Sequence, residues 1–234
     1  MAAAAVRLYA EQGYEATSAD QIAAAVGLSR STFFRQFRGK EDVVFADHDA
    51  LLEEAEEYLA RPHQDPWLAV CEAAEIVFTH FAGLGDLAQL RYQVVNGEPA
   101  LRDKELVTTF RYERLFRRSL RDAVPGIDPL AAVRFASTVI ATHNFCLRAL
   151  MRGEPGFDAA RLRAELDAVR RLFGVLRSAD ARAQAGVGGA DDAGLRAAGS
   201  RADDVVVTVF ARSTPASEVA RRIEEALSRR SPPE

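Results

Sequence analysis

Thr17–Glu41, TSADQIAAAVGLSRSTFFRQFRGKE, reads as two short helices joined by a tight turn. Ser18 is a good N-cap, and Gln21 three residues on completes a capping box ahead of Ile22, Ala23 and Val26. Gly27 ends that helix at a position where a residue without Cβ is favoured. Ser29 caps a second helix, expected over Arg30–Phe37, that closes on Gly39. A turn of about three residues holds two helices at the steep angle of a helix-turn-helix, whose second helix enters the DNA major groove.

The charge pattern agrees. From Leu28 to Lys40 the ionisable residues are Arg30, Arg35, Arg38 and Lys40, with no acid among them. Ser29, Ser31 and Thr32 open the second helix, where recognition helices touch base edges. Arg30 suits a bidentate contact to guanine O6/N7, and Gln36 a phosphate or an adenine edge. Phe33 and Phe37, four apart, share the face expected to pack on the first two helices. Phe34 lies off that face, toward sugar or a thymine methyl. The alternative is an αα-hairpin with a solvated basic face.

Around this core runs the pattern A-x-x-L-Y-A-E-x-G-Y-x-A-T-S-x-x-x-I-A-A-A-V-G-L-S-R-S-T-F-F-R-x-F-x-x-K-E-D-V, beginning at Ala5. It resembles the N-terminal domain of the TetR family of bacterial transcriptional regulators. The resemblance implies an all-α fold, with a three-helix DNA-binding domain (1–46) and a helical ligand-binding and dimerisation domain (47–178). It implies a homodimer on a palindromic operator, most often a repressor released by a small effector. By motif position, Arg30, Ser31, Thr32, Phe34 and Gln36 would face the groove, while Ser18 and Lys40 would hold phosphates. Many relatives have Tyr where this chain has Phe34, so one backbone donor is missing. The chain also opens inside what reads as the first helix, AAAAVRLYAEQG, without a basic arm. Either the start lies upstream, or binding makes fewer phosphate contacts and depends less on salt.

Composition sets bounds. The chain has 234 residues, 48% of them hydrophobic, enough for one or two ordinary cores. Its formal net charge of −4 means that DNA affinity must come from a local patch. No run approaches the roughly 18 apolar residues of a membrane span, and no secretory signal opens the chain, so a cytoplasmic protein is expected. Cys71 and Cys146 read as core thiols rather than a disulfide. His48, His63, His80 and His143 show no metal-ligand spacing, and no phosphate loop or nucleophile elbow occurs. No metal, cofactor or catalysis is therefore expected; a helical small-molecule enzyme and a co-regulator working through a protein partner are the weaker alternatives.

Periodicity and punctuation make the middle of the chain helical. Lys40–Ala60 reads as one connector helix, followed by helices from Pro66 to about Gly83, Leu87–Val95, Pro99–Val124, Leu130–Met151 and Asp158–Arg177. The last two carry apolar stripes, Ile140 and Leu147 on one, Leu162, Leu166, Val169 and Phe173 on the other. Either the stripes close the chain's own core, or they form a four-helix dimer interface; the family resemblance favours the second. Candidate ligand contacts are Trp67, Phe78, Phe81, Tyr92, Phe110, Phe135, His143 and Asn144, with Cys146 nearby, a mostly apolar set with a few polar handles. The stretch RYQVVNGEPALRDKELVTTFRYERLFRRSL also resembles TetR-type regulators of acyl-CoA-like ligands, including the mycofactocin-system regulator, through R-Y-x-x-V, P-A-L-R and E-x-x-x-x-x-R-Y-E. That resemblance offers Arg91, Arg111, Arg114 and Arg117 as cations for a phosphate-bearing ligand. Residues 179–204, poor in large apolar side chains, read as a flexible linker. Residues 205–234 pair a strand-like VVVTVF with a helical pattern in a loosely attached tail.

Overall fold

The structure, a computed structural model, describes residues 1–176. The expected linker and tail, 179–204 and 205–234, lie outside the described residues. Within them the secondary structure is helical: α1 Ala2–Gln12, α2 Ala19–Ala25, α3 Arg30–Gln36, a 3-10 turn Asp42–Phe45, α4 Ala46–Leu59, α5 Pro66–Ala82, α6 Asp86–Gly97, α7 Pro99–Ala123, α8 Pro129–Met151 and α9 Ala159–Leu172.

Local chemistry starts most of these helices where the sequence predicts. Asp65, Glu98 and Asp128 cap α5, α7 and α8, each followed by Pro at the first position, where a missing N–H costs nothing. The short helix expected over Leu87–Val95 runs Asp86–Gly97, and two other boundaries differ from expectation. Lys40–Ala60 is not one helix: Val43, Val44 and Phe45 are buried in succession, which the tighter 3-10 turn allows before α4 begins at Ala46. The last helix stops at Leu172, short of the expected Arg177, because Gly174 adopts φ +67° and its N–H bonds back to the Arg171 carbonyl.

The described residues form two cores. The first gathers Val6, Tyr9, Ile22, Phe33, Phe37 and Val43–Phe45, and it also takes in Val95 from α6 and Leu101 from α7. The α6–α7 corner thus completes the small N-terminal core. The second core is built where α8 packs against α5, α7 and α9. There Phe135 lies edge-on to Trp67 at 4.8 Å and to Phe173 at 5.3 Å. An ion pair of Arg170 with Asp65, 2.8 Å long and almost fully buried, ties the end of α9 to the start of α5. Contrary to the composition estimate, α8 is apolar enough to pass for a membrane span, with a mean hydropathy of 1.2 over 18 residues. Its position between three helices accounts for that apolarity.

Candidate nucleic-acid interface and effector cavity

The helix-turn-helix forms as its caps dictate. Ser18 Oγ accepts the Gln21 amide at 3.2 Å while the Ser18 amide donates to Gln21 Oε1 at 2.7 Å, a complete capping box. Gly27 turns the chain at φ +71°, and Ser29 Oγ accepts the Thr32 amide at the start of α3. Phe33 is buried with Phe37 against it at 5.3 Å, the packed face the spacing predicts. Outward, α3 presents Arg30, Ser31, Arg35, Gln36 and Phe34, the last 44% exposed, with Thr32 half-buried beside them. Arg30 is not an idle cation: it pairs with Asp20 of α2 and lies 5.2 Å over the Phe34 ring.

Lys40 stands apart from this surface. Its Nζ donates to the carbonyls of Tyr14 at 2.6 Å and Thr17 at 3.1 Å and sits 4.0 Å over the Tyr14 ring. The ammonium therefore braces the turn between α1 and α2. Tyr9 locks the other side, its hydroxyl donating to the Lys40 carbonyl at 2.7 Å; burial first, then the nearby Tyr14 and Glu41, pushes its pKa up. Fully buried Thr17 donates to the Gly13 carbonyl at 2.7 Å. Neither Tyr9 nor Thr17 was singled out from the sequence.

Between α4, α5, α6, α7 and α8 lies a cavity of about 60 Å³. That is room for a few water molecules. Of the eight predicted ligand contacts, Phe81, Tyr92, His143 and Asn144 line it. Four do not. Phe78 and Phe135 are fully buried in the second core, Trp67 borders a separate shallow groove with Pro125 and Val175, and Phe110 is 56% exposed on the outer face of α7. Cys146 is likewise core; burial pushes its thiol up to about 11 and that of Cys71 to about 12, so both stay protonated. Arg91 reaches the cavity, whereas Arg111, Arg114 and Arg117 do not line it, and Arg111 pairs with Asp49 at 2.6 Å.

Of the polar lining, Arg91, Tyr92, His143 and Asn144 were named for the ligand from the sequence, whereas His48, Glu105, Thr108 and Tyr112 were not. Arg91 is 5% exposed; its Nη1 donates to the Val44 carbonyl and to Asp47 Oδ1 at 3.5 Å. Its guanidinium lies 5.1 Å from the Phe45 ring and 5.0 Å from that of Phe81. Burial lowers its pKa, with Asp47 and then Glu105 opposing. His48 bonds the Tyr112 hydroxyl through Nδ1 at 3.2 Å, and burial and the Arg91 charge hold it well below the ordinary histidine value. His143 Nδ1 donates to Asn144 Oδ1 at 3.1 Å; burial brings its pKa down to about 4, so the ring is neutral at physiological pH with Nε2 as an acceptor. Two signals in the sequence pointed to Arg91. It falls on the Ala88–Val95 stripe of α6, and it opens the R-Y-x-x-V element.

The predicted dimer seams are used inside the chain. Leu162 and Leu166 are fully buried and Val169 nearly so, while Ile140 and Leu147 face the cavity and Phe173 packs on Phe135. Leu162, Leu166 and Val169 thus close the chain's own core, while Ile140, Leu147 and Phe173 stay half-buried. Outside, α9 leaves Ala164, Ala168 and Leu172 on one line, with Leu172 77% exposed.

Residues 2–46 match the family described as bacterial regulatory proteins, tetR family. No curated protein matches the sequence. Among solved structures, the chain is similar to FadR of Bacillus subtilis in complex with stearoyl-CoA, at 20% identity over 72% of this chain and 95% of that one, with a TM-score of 0.51. It is similar to the fatty acid degradation regulator FadR of Bacillus halodurans, at 21% identity over 75% and 97%, with a TM-score of 0.50. A TetR-family regulator, PfmR of Thermus thermophilus, is 24% identical over 73% and 96%, with a TM-score of 0.43. Residues 2–46 thus match the DNA-binding domain of the tetR family, and the described helices beyond them share the fold of the two FadR structures.

Proposed function

We propose that the chain is a repressor that binds a two-fold symmetric operator as a homodimer in the bacterial cytoplasm and releases it when a small, largely apolar effector enters the cavity. One observation supports the reading above others: Phe45 and Val95 belong both to the core of the DNA-binding domain and to the cavity wall. Anything that widens the cavity must move side chains on which the helix-turn-helix is seated. At about 60 Å³ the cavity takes a long tail only by parting its helices. An effector therefore favours a spacing of the helices different from the empty one, the condition for a ligand to shift an equilibrium. Val77, Ile140 and Leu147 make the wall suited to an acyl chain. The stearoyl-CoA held by the Bacillus subtilis protein of this fold suggests the same class.

In this reading Arg30, Ser31, Thr32, Phe34 and Gln36 read the groove, and Ser18 meets phosphate through the hydroxyl proton that its cap leaves unused. The line Ala164, Ala168 and Leu172 offers a partner subunit a close helix approach. The test is selection of bound DNA from a random pool, followed by titration of the operator complex with fatty acids, acyl-CoAs and aromatic acids. Release by acyl compounds is expected. Release by aromatic acids alone overturns the effector class, and failure to select any sequence overturns the operator reading.

A further inference from the structure

Arg91 carries a guanidinium only half engaged. Nη1 serves Val44 and Asp47, whereas Nη2 is buried without a partner, on a residue that lines the cavity. Asp47 is itself divided, with His80 Nε2 at 3.4 Å. The one carboxylate among the described lining residues, Glu105, is occupied by Arg148 at 3.2 Å. His143 Nε2, the other unpartnered buried atom of this wall, is an acceptor and repels an anion. The lining thus holds one undercompensated cation, with Nη2 free to donate to an oxyanion.

We infer that the effector is an amphiphile ending in a free carboxylate, that Arg91 Nη2 is its receptor, and that the same side chain reports occupancy to the DNA-binding domain. The inference rests on the effector reading above. A carboxylate pairs the buried charge, and its tail lies among Val77, Ile140 and Leu147. Because Nη1 of the same rigid fork holds the Val44 carbonyl, a pull on Nη2 toward the cavity strains the bond that seats the 3-10 turn under α1. The 3-10 turn and α6 thus become the route of the signal, with α4 following.

The experiment is calorimetric titration of decanoate, 1-decanol and decanoyl-CoA into the full chain and into R91Q, R91K and D47N. Decanoate is expected to bind more tightly than decanol, and R91Q to weaken decanoate by about ten- to a hundredfold, the worth of a hydrogen bond to a charged group, while decanol changes little. R91K, which keeps the charge and loses the fork, falls between. D47N removes the competing carboxylate and is expected to tighten decanoate alone, so it decides the matter should the Arg91 variants fail to fold. Equal affinity for acid and alcohol overturns the inference. So does failure of decanoate to bind. Decanoyl-CoA preferred over decanoate, with the preference intact in R91Q, places the polar end elsewhere and also overturns it. Operator binding without effector is scored separately, so loss of the carboxylate receptor and loss of the regulator reading give different results.

Discussion

In the unbound protein the Arg30 guanidinium is shared between Asp20 and the face of Phe34. Reaching a guanine edge means giving up an exposed ion pair worth at most about 1 kcal/mol. A bidentate base contact returns roughly 1–3 kcal/mol of discrimination, so the base wins. Arg30→Ala is therefore expected to flatten sequence preference at one base pair, measured by competition between operator variants; unchanged preference would move the recognition helix elsewhere. Lys40→Ala should act differently, because its ammonium bonds two backbone carbonyls. A loss of about 2 kcal/mol in denaturant unfolding is expected, with little change in the salt slope of DNA binding. His143 titrates near 4 when folded and near 6.5 when unfolded. From pH 6.5 down to about 4 the unfolded chain binds a proton that the folded chain refuses, so stability falls as pH drops through that window. The full difference is on the order of 3 kcal/mol. Wild type and His143→Gln melted at pH 7 and pH 5 should show a steeper loss for wild type; parallel losses would place the burden on another group.

At the scale of the element, α5, α7 and α8 were legible within a residue or so, because an acidic cap and a following proline fix each start chemically. The connector was not. The run Val43–Val44–Phe45 puts three buried side chains in succession, which a period of 3.6 cannot place on one face, and a helical reading ran through it. The helix-turn-helix was legible because caps and turn glycine are local signals. The cavity was half legible, since helical spacing alone does not distinguish Phe81, at the cavity, from Phe78 in the core or Phe110 in solvent. The apolar stripe of α9 was legible, and its Leu166 faces the chain's own core. Leu166→Arg should consequently unfold the protein, as a buried unpaired charge does. Leu172→Arg or Ala168→Arg should leave melting intact and split the dimer on sedimentation. A dimer that survives both would put the interface on another surface.

Over the whole molecule the two cores meet at Phe45, Val95 and the α6–α7 corner, so cavity and recognition helix belong to one mechanical problem. If effector and operator prefer different arrangements of that junction, each must weaken the other by the same factor, within the roughly 5–150-fold range usual for about 1–3 kcal/mol of coupling. Paired titrations, effector against operator complex and operator against effector complex, measure the two factors independently. A factor of one in both titrations would mean that cavity and recognition helix are uncoupled.

Lysine occurs in this chain only at positions 40 and 104. Lys40 braces the turn ahead of α2, and Lys104 pairs with Asp42 at 2.5 Å, so both grip the shoulder between DNA domain and cavity. Burial alone would raise the Asp42 carboxyl, but the bonds from Lys104 and the Arg38 amide outweigh it and keep it ionised. An ammonium held this way cannot react with an acylating reagent until its bonds open and it loses a proton. The pace of amine modification at these two positions, followed by mass spectrometry, therefore serves as a clock on the shoulder itself. Effector should quicken it and operator should slow it, in a protein where no dye or engineered label has been introduced.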